Sequence, residues 1–255
     1  MNKTLALIIG TLVLLAAILS GLVYVKLTQK PLPEVIPTEL VVQNDNVDVK
    51  VTYPVIPGTS EGVKNANASI RADIGAKVSR FESDAKENAP IGTDLPKEVK
   101  STVTGSPAIE DQTDRYISIF MGMEWYLRGA AHPSHTIDTY VYDFEQDKLV
   151  SPREFFKDGS DYLGVLSRLS KEDLLKQSRE GDLGFIFQED MVTEGTLPTA
   201  ENFKRILPLK DGLAIYFDEY QVAPYAAGPQ QVVIPYSKLQ DIIDQNGVLG
   251  VYLKK

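Results

Sequence analysis

The feature that most constrains this chain is an uncharged apolar run near its start. Residues 5–25, LALIIGTLVLLAAILSGLVYV, contain no charged side chain and lie between Lys3 and Lys26. About 20 apolar residues can cross a bilayer as a helix, whereas the apolar part of a cleaved signal peptide has about 7–15 residues and precedes an A-x-A-like site. No such site follows this run. We therefore predict that residues 1–26 are an uncleaved signal anchor and that residues 5–25 hold the protein in the cell membrane as a single-pass helix.

The charge of the remaining chain limits the partners that it could bind. The whole sequence has a net charge of −9, and residues 27–255 contain 24 basic and 35 acidic side chains, a net charge of −11. An acidic surface repels nucleic acid, so we expect no nucleic-acid partner, and it attracts cationic proteins. The chain has no cysteine, which excludes a disulfide framework, a thiolate metal site and a lipid-modified cysteine.

The pattern after the anchor predicts an extended segment followed by a folded domain. Residues 27–44 contain Pro31, Pro33 and Pro37, and we interpret them as a spacer. The alternating apolar residues of VDVKVTY predict a half-buried strand, and residues 61–86 repeat apolar positions at helical spacing. The predicted inward positions of this strand and helix are Val47, Val49, Val51, Tyr53, Ile70, Ile74, Val78 and Phe81.

The second half predicts strands that pair by hairpins, with helices grouped between them. RYISIFMGMEWYL and HTIDTYVYDF are predicted to pair, with a short third strand at Leu149. Capping patterns at Ser151 and Ser170 predict two successive helices, and residues 185–203 are predicted to be a surface connection. A hairpin about Asp211-Gly212, a strand QVVIP and a final helix from Ser237 to Asn246-Gly247 complete the pattern. We predict an α+β fold with an antiparallel sheet packed against helices, preceded by one transmembrane helix.

Two short motifs could carry chemistry, and each also has a structural explanation. GTSEG, residues 58–62, matches G-x-S-x-G, so Ser60 could be a hydrolase nucleophile or simply the cap of the following helix. His132 and His135 could serve as bases or metal ligands, although Pro133 disfavours a helix that would align them. Asp218 and Glu219 are neighbours on a predicted strand and would point to opposite faces. No nucleotide, calcium or metalloprotease motif occurs, so we expect no cofactor and no metal.

Two longer stretches resemble known families. FDEYQVAPYAAGPQQVVIPYSKL resembles the hallmark of the RsiV-like family, domain of unknown function 3298, and HPSHTIDTYVYDFEQDKLVSPREFF resembles the segment that precedes it in that family. VDVKVTYPVI and the helix NASIRADIGAKVSRF are similar to the region ahead of the catalytic part of PdaC-type deacetylases, domain of unknown function 4163. The resemblance assigns residues 45–135 to a PdaC N-terminal-like region and residues 136–250 to an RsiV-like domain.

The resemblance implies an α+β domain outside the membrane that binds or senses a component of the bacterial cell envelope. The expected partner is a cationic cell-wall protein of the lysozyme type, or peptidoglycan. The AAGP stretch would be a loop between two strands, either a binding surface or a rigid connection that packs the core. The candidate binding residues are Tyr220, Pro224, Tyr225, Ala226, Ala227, Gly228 and Pro229.

The sequence also departs from both families. Only four residues precede the apolar run, so we expect no anti-sigma-factor role, and no deacetylase region follows residue 250, so we expect no deacetylase activity. We therefore predict a non-catalytic binding or sensing domain with no catalytic residues. The alternative is an envelope hydrolase that uses Ser60 or the His132 and His135 pair.

Overall fold

The computed structural model describes residues 32–87, 99–180 and 188–253. Nearly all of them belong to one compact unit, Glu34–Lys255. The predicted anchor, residues 5–25, lies outside the described residues. Within the part that is described, no helix is both long and apolar enough to span a bilayer.

A six-stranded sheet forms the frame of this unit. Its strands follow one another in chain order, and each pairs with the next in an antiparallel direction except for β2 and β3, which are parallel. The strands are β1 (Ile36–Gln43), β2 (Val47–Val55), β3 (Ser101–Gln112), β4 (Tyr116–Tyr126), β5 (Ser134–Asp143) and β6 (Lys148–Leu149).

One long helix covers one face of this sheet. α1 (Glu61–Glu87) connects the parallel pair, as a crossover between parallel strands requires. Its residues Ile70 and Ile74 are fully buried, and Val78 and Phe81 are nearly so. They pack against alternate residues of β2 to β5. The helix and its buried stripe confirm the sequence prediction.

A second, three-stranded sheet packs with the remaining helices into a separate hydrophobic core. It contains the antiparallel strands β7 (Ile206–Leu209), β8 (Gly212–Phe217) and β9 (Gln230–Ile234) in that order. α2 (Tyr162–Glu180) and α3 (Glu189–Gly195) precede it, and short 3₁₀ turns occur at Pro152–Phe155, Tyr225–Ala227, Tyr236–Lys238 and Val248–Tyr252. The fold is therefore mixed α+β, as predicted, with one parallel strand pair.

The structure corrects several predicted elements. Ser170 does not begin a helix, because it lies inside α2 and its side chain is fully buried. Part of the predicted surface connection is α3, with Val192 buried. The hairpin turn consists of Lys210 and Asp211, because Leu209 pairs with Gly212. Residues 237–247 form turns rather than a helix.

Two strands bear on the predicted spacer and on the predicted boundary between residues 135 and 136. Ile36–Gln43, at the end of the predicted spacer, forms β1 and pairs along its whole length with β2. β3 was not predicted at all. Strand β5 crosses the predicted boundary between residues 135 and 136 and pairs with β4, so the two regions share one sheet. Their family assignments stay predictions.

Candidate functional site

A large cleft lies between the six-stranded sheet and the loop that follows β8. Its volume is about 1010 Å³. We call it the groove, and we call residues 218–229, between β8 and β9, the wall loop. The residues that line the groove are Lys50, Thr52, Thr104, Gly105, Ser106, Phe120, Gly122, Met123, Glu124, His135, Thr136, Ile137, Tyr216, Glu219, Tyr225, Ala226, Ala227, Gly228, Pro229, Gln230 and Gln231.

The floor of the groove is a row of polar side chains across four strands. Lys50 is paired with Thr104, Thr104 with Glu124, and Glu124 with His135. Paired residues of neighbouring strands point to the same face. Their sequence neighbours, such as Val49 on β2, pack beneath α1, so this row faces away from the helix.

The wall loop contributes a rigid turn to one side of the groove. Tyr225–Ala227 form a 3₁₀ turn that Pro224 precedes, and Gly228 ends it with φ 66° and ψ −171°. Backbone in that region is essentially restricted to glycine. The Gln230 side-chain amide donates to the carbonyl oxygens of Ala227, at 2.7 Å, and Gly228, at 3.1 Å. The turn is thus fixed by its own sequence.

His135 connects the floor to the wall loop. Its Nδ1 lies 2.5 Å from Glu219 Oε1, and its backbone N–H donates to Glu219 Oε2 at 3.1 Å. Nε2 lies 3.3 Å from Glu124 Oε2 on the floor. The Glu219 side chain is only 7% exposed, whereas that of Glu124 is 50% exposed. Glu219 therefore anchors the imidazole, and Glu124 faces the groove.

The two carboxylates favour the charged imidazolium. The hydrogen bond to Glu219 has the largest influence and raises the pKa of His135 above its ordinary value. Partial burial lowers this pKa, and Glu124 raises it. A carboxylate that orients a histidine is also found beside catalytic bases. Among the described residues, however, no hydroxyl group hydrogen-bonds to Nε2 of His135.

The remaining predicted site residues surround the wall loop. The His132 ring stacks on Tyr225 with centroids 3.8 Å apart, and the Tyr225 hydroxyl donates to the Pro133 carbonyl oxygen at 2.7 Å. Tyr220 is 58% exposed, has φ 64° and lies 5.8 Å from the Tyr225 ring. Tyr220 and Pro224 do not line the groove. Of the seven candidate residues, the groove therefore contains Tyr225, Ala226, Ala227, Gly228 and Pro229.

Ser60 is the cap of α1 and lies outside the groove lining. Its hydroxyl donates to Asp147 Oδ1 at 2.5 Å and accepts the Val63 backbone N–H at 3.2 Å. Asp147 also accepts from the Gly62 N–H and the Tyr142 hydroxyl. These contacts lower the pKa of Asp147, with the Ser60 hydroxyl as the main cause. The structure pairs Ser60 with a carboxylate and not with a histidine.

The two neighbouring carboxylates after β8 have separate partners. Asp218 pairs with Arg205 Nη1 at 2.6 Å, whereas Glu219 binds His135. Burial is the main cause that raises the pKa of Asp218. No group of three or more acidic or histidine side chains within the described ranges is arranged to hold a metal ion.

Sequence reasoning missed the floor of the groove. Lys50, Thr104 and Glu124 belong to three different strands, and none is part of a recognisable motif. Thr104 lies on the unpredicted strand β3. The three side chains are neighbours only because of the register of the sheet. Sequence reasoning could have grouped them only if the pairing of the strands had been known.

One family model matches part of the chain. Residues 153–237 match the family described as "Protein of unknown function (DUF3298)". This segment contains most of the second core and the whole wall loop, whereas the residues of the groove floor precede it.

The chain is also similar to a named bacterial enzyme. It is 34% identical over 122 residues to the peptidoglycan-N-acetylmuramic acid deacetylase PdaC of Bacillus subtilis (strain 168). The match covers 48% of this chain but only 25% of PdaC. The chain therefore matches about a quarter of the length of this relative.

Two solved structures share the fold. A DUF3298 family member from Bacteroides fragilis NCTC 9343 superposes with a TM-score of 0.57 at 15% identity, over 89% of this chain and 100% of that chain. A DUF3298 family protein from Pseudomonas aeruginosa PAO1 gives a TM-score of 0.54 at 16% identity, over 85% and 96%. At these identities the similarity concerns the fold alone.

Proposed function

We propose that the protein is a non-catalytic binding domain of the bacterial cell envelope that holds a peptidoglycan glycan strand in the groove. The groove itself is the observation that carries the proposal: its volume is about 1010 Å³, and it is lined by both aromatic and hydrogen-bonding side chains. Sugars have apolar ring faces and hydroxyl edges, and such a lining can satisfy both. The relative named as a peptidoglycan deacetylase supports the choice of polymer.

The chemistry of the lining favours a glycan over a compact apolar ligand. Thr104, Glu124 and Gln231 can exchange hydrogen bonds with hydroxyl and N-acetyl groups, and Tyr225, whose ring also stacks on His132, contributes apolar aromatic surface. The turn that carries Tyr225 is held by proline, glycine and the Gln230 amide. A pre-formed wall loses little conformational entropy when a ligand binds.

The proposal is tested by titrating the full-length chain, in mild detergent, with soluble glycan strands from which the peptides have been removed. Glu124→Gln replaces one carboxylate acceptor in the groove with an amide donor and removes its charge, and Gln231→Ala removes a side-chain amide. We expect each to weaken binding by about 2- to 10-fold, as a loss of about 0.5–1.5 kcal/mol predicts. Glu172→Gln, on the exposed side of α2, is the matched control. Unchanged affinity in both groove variants would refute the groove as the site.

The second candidate partner is a cationic cell-wall protein of the lysozyme type. The net charge of −9 favours it, because opposite charges accelerate encounter and added salt weakens it. Titration with such a protein at low and high salt tests this candidate. Binding that is unaffected by salt would contradict it.

We also propose that residues 5–25 anchor the domain to the outer face of the cell membrane. The length and lack of charge of this run support the anchor. Protease added to intact cells should then remove the domain. Protection until the membrane is broken would show that the orientation is reversed.

A further inference from the structure

A second cleft lies on the opposite side of the β4 and β5 strand ends from the groove. Its volume is about 370 Å³, and α1 forms one of its walls. Thr136 lines both clefts. His132 lines the second cleft and stacks on Tyr225, which lines the groove. The two clefts therefore adjoin at Thr136 and at this ring pair.

The wall of the second cleft is aromatic and fixed. The rings of Trp125 and Phe81 lie 5.5 Å apart at an angle of 54°. The Trp125 indole N–H donates to the Thr136 hydroxyl at 2.8 Å, which holds the ring in place. Because the indole N–H of Trp125 already has a hydrogen-bond acceptor, the half-buried ring presents an apolar face to a ligand.

The cationic groups at this cleft differ in one important respect. Lys77 is neutralised by Asp73, at 2.9 Å, and by Asp138, at 2.6 Å. The side chain of Arg80, one turn further along α1, is exposed and forms no ion pair or hydrogen bond with any residue that the structure describes. An unpaired guanidinium beside an aromatic wall is suited to a carboxylate carried on an apolar or sugar framework, which it can bind by two parallel hydrogen bonds.

We infer that this second cleft is a subsite for the carboxylate-bearing branch of the polymer whose glycan occupies the groove. The inference rests on the proposed function. The carboxylate could belong to the lactyl group of N-acetylmuramic acid or to the end of a stem peptide. Both would place an anion against Arg80 while the attached framework packs on Trp125.

Trp125 provides a local readout, because it is the only tryptophan in the chain. We would follow its fluorescence in the full-length chain during titration with N-acetylmuramic acid, its methyl ester and alanyl-alanine. The free acid should cause a saturable change, and the neutral ester should bind at least about 10-fold more weakly, because it cannot form the charge-assisted hydrogen bonds that the carboxylate forms. A response to alanyl-alanine that exceeds the response to the sugar acid would assign the carboxylate to the peptide.

Arg80→Gln should abolish the preference for the acid over the ester. Arg71→Gln is the matched control, because Arg71 is also exposed on α1 but does not line the cleft. Equal binding of acid and ester to the unaltered protein, or a preference that survives in Arg80→Gln, would overturn the inference. These small probes report on Trp125 and not on Glu124 or Gln231, so failure here is distinguishable from failure of glycan binding in the groove.

Discussion

The two faces of the six-stranded sheet use alternate residues of the same strands but are covered differently. On β4, Ile117, Ile119 and Met121 are fully buried beneath α1. On the other face, the Ser118 hydroxyl donates to the Pro208 carbonyl oxygen of the small sheet, whereas Glu124 lies in the open groove. α1 covers the first face except at the second cleft, beside the ends of β4 and β5, whereas the second core covers only part of the other face. The uncovered part is available for binding because its residues are not needed to exclude water.

The largest expected effect is on the helix-covered face. Ile74→Ala removes a fully buried side chain and should lower the free energy of unfolding by about 2–5 kcal/mol, because it loses apolar burial and leaves a cavity. Chemical denaturation measures this change. Val41→Ala, at a position that is 52% exposed on β1, is the control and should change the stability by less than about 0.5 kcal/mol. Similar losses in both variants would contradict the comparison of a sealed and an open face.

Loss of the α1 cap should lower the stability less than Ile74→Ala does. Ser60→Ala removes the acceptor for the Val63 N–H and the donor to Asp147, and should cost about 1 kcal/mol of stability. Glycan affinity should not change, because Ser60 does not line the groove. Thr59→Ala, an exposed neighbour that also loses a hydroxyl, should be nearly neutral. A hydrolytic activity that disappears in Ser60→Ala alone would instead support the hydrolase alternative.

The link between floor and wall loop should be sensitive to pH. The raised pKa of His135 means that its contribution to stability is fully present below the unfolded-state pKa, about 6.5, and is lost as the pH rises through the folded-state value. The stability difference between the unaltered protein and His135→Gln should therefore shrink at alkaline pH. Partly exposed ion pairs contribute about 0.2–1 kcal/mol, so we expect a change of that order. Denaturation curves across neutral and alkaline pH measure it, and a difference that grows with pH would contradict the assignment.

The smallest effect is expected at Tyr220, which the sequence prediction placed in the binding surface. Tyr220→Asn should change the stability by no more than about 0.5 kcal/mol, because Tyr220 is exposed and asparagine tolerates its positive φ. Glycan affinity should be retained, whereas Tyr225→Ala should lower it. A loss of affinity in Tyr220→Asn would extend the contact surface beyond the groove.

The sequence predicted elements with strong local patterns and missed those that depend on distant contacts. α1 was found because its apolar periodicity is regular, and the pair of β4 and β5 was found because both segments are rich in β-branched and aromatic residues and a turn separates them. β3 was missed because Thr104 and Ser106 face the groove and Gly105 lies between them, so little apolar alternation remains. The prediction of a last helix was wrong. Leu239 and Ile243 have the four-residue spacing of a helix, but both are buried in turns that pack on the second core.

The same distinction applies to the site. The wall loop was predicted because its prolines and Gly228 form a compact local pattern. The contact between His135 and Glu219 joins residues 84 positions apart, and no local pattern predicts which carboxylate meets which imidazole. The prediction that Asp218 and Glu219 would not share a site agrees with their separate partners. Its reason was wrong, because both residues follow the end of β8 and lie in the wall loop, where strand alternation does not apply.

The last described residues of the chain return to the turn between β3 and β4. Arg115 donates to the Asn246 carbonyl oxygen, 131 residues later, and the Tyr252 hydroxyl donates to Asp111, 141 residues earlier. During synthesis, the strands that form the groove floor leave the ribosome long before the segment that closes this end of the fold. We expect folding to be completed late and slowly, as contacts between distant residues require. Nascent chains that stall before residue 246 should therefore be protease-sensitive and depend on chaperones.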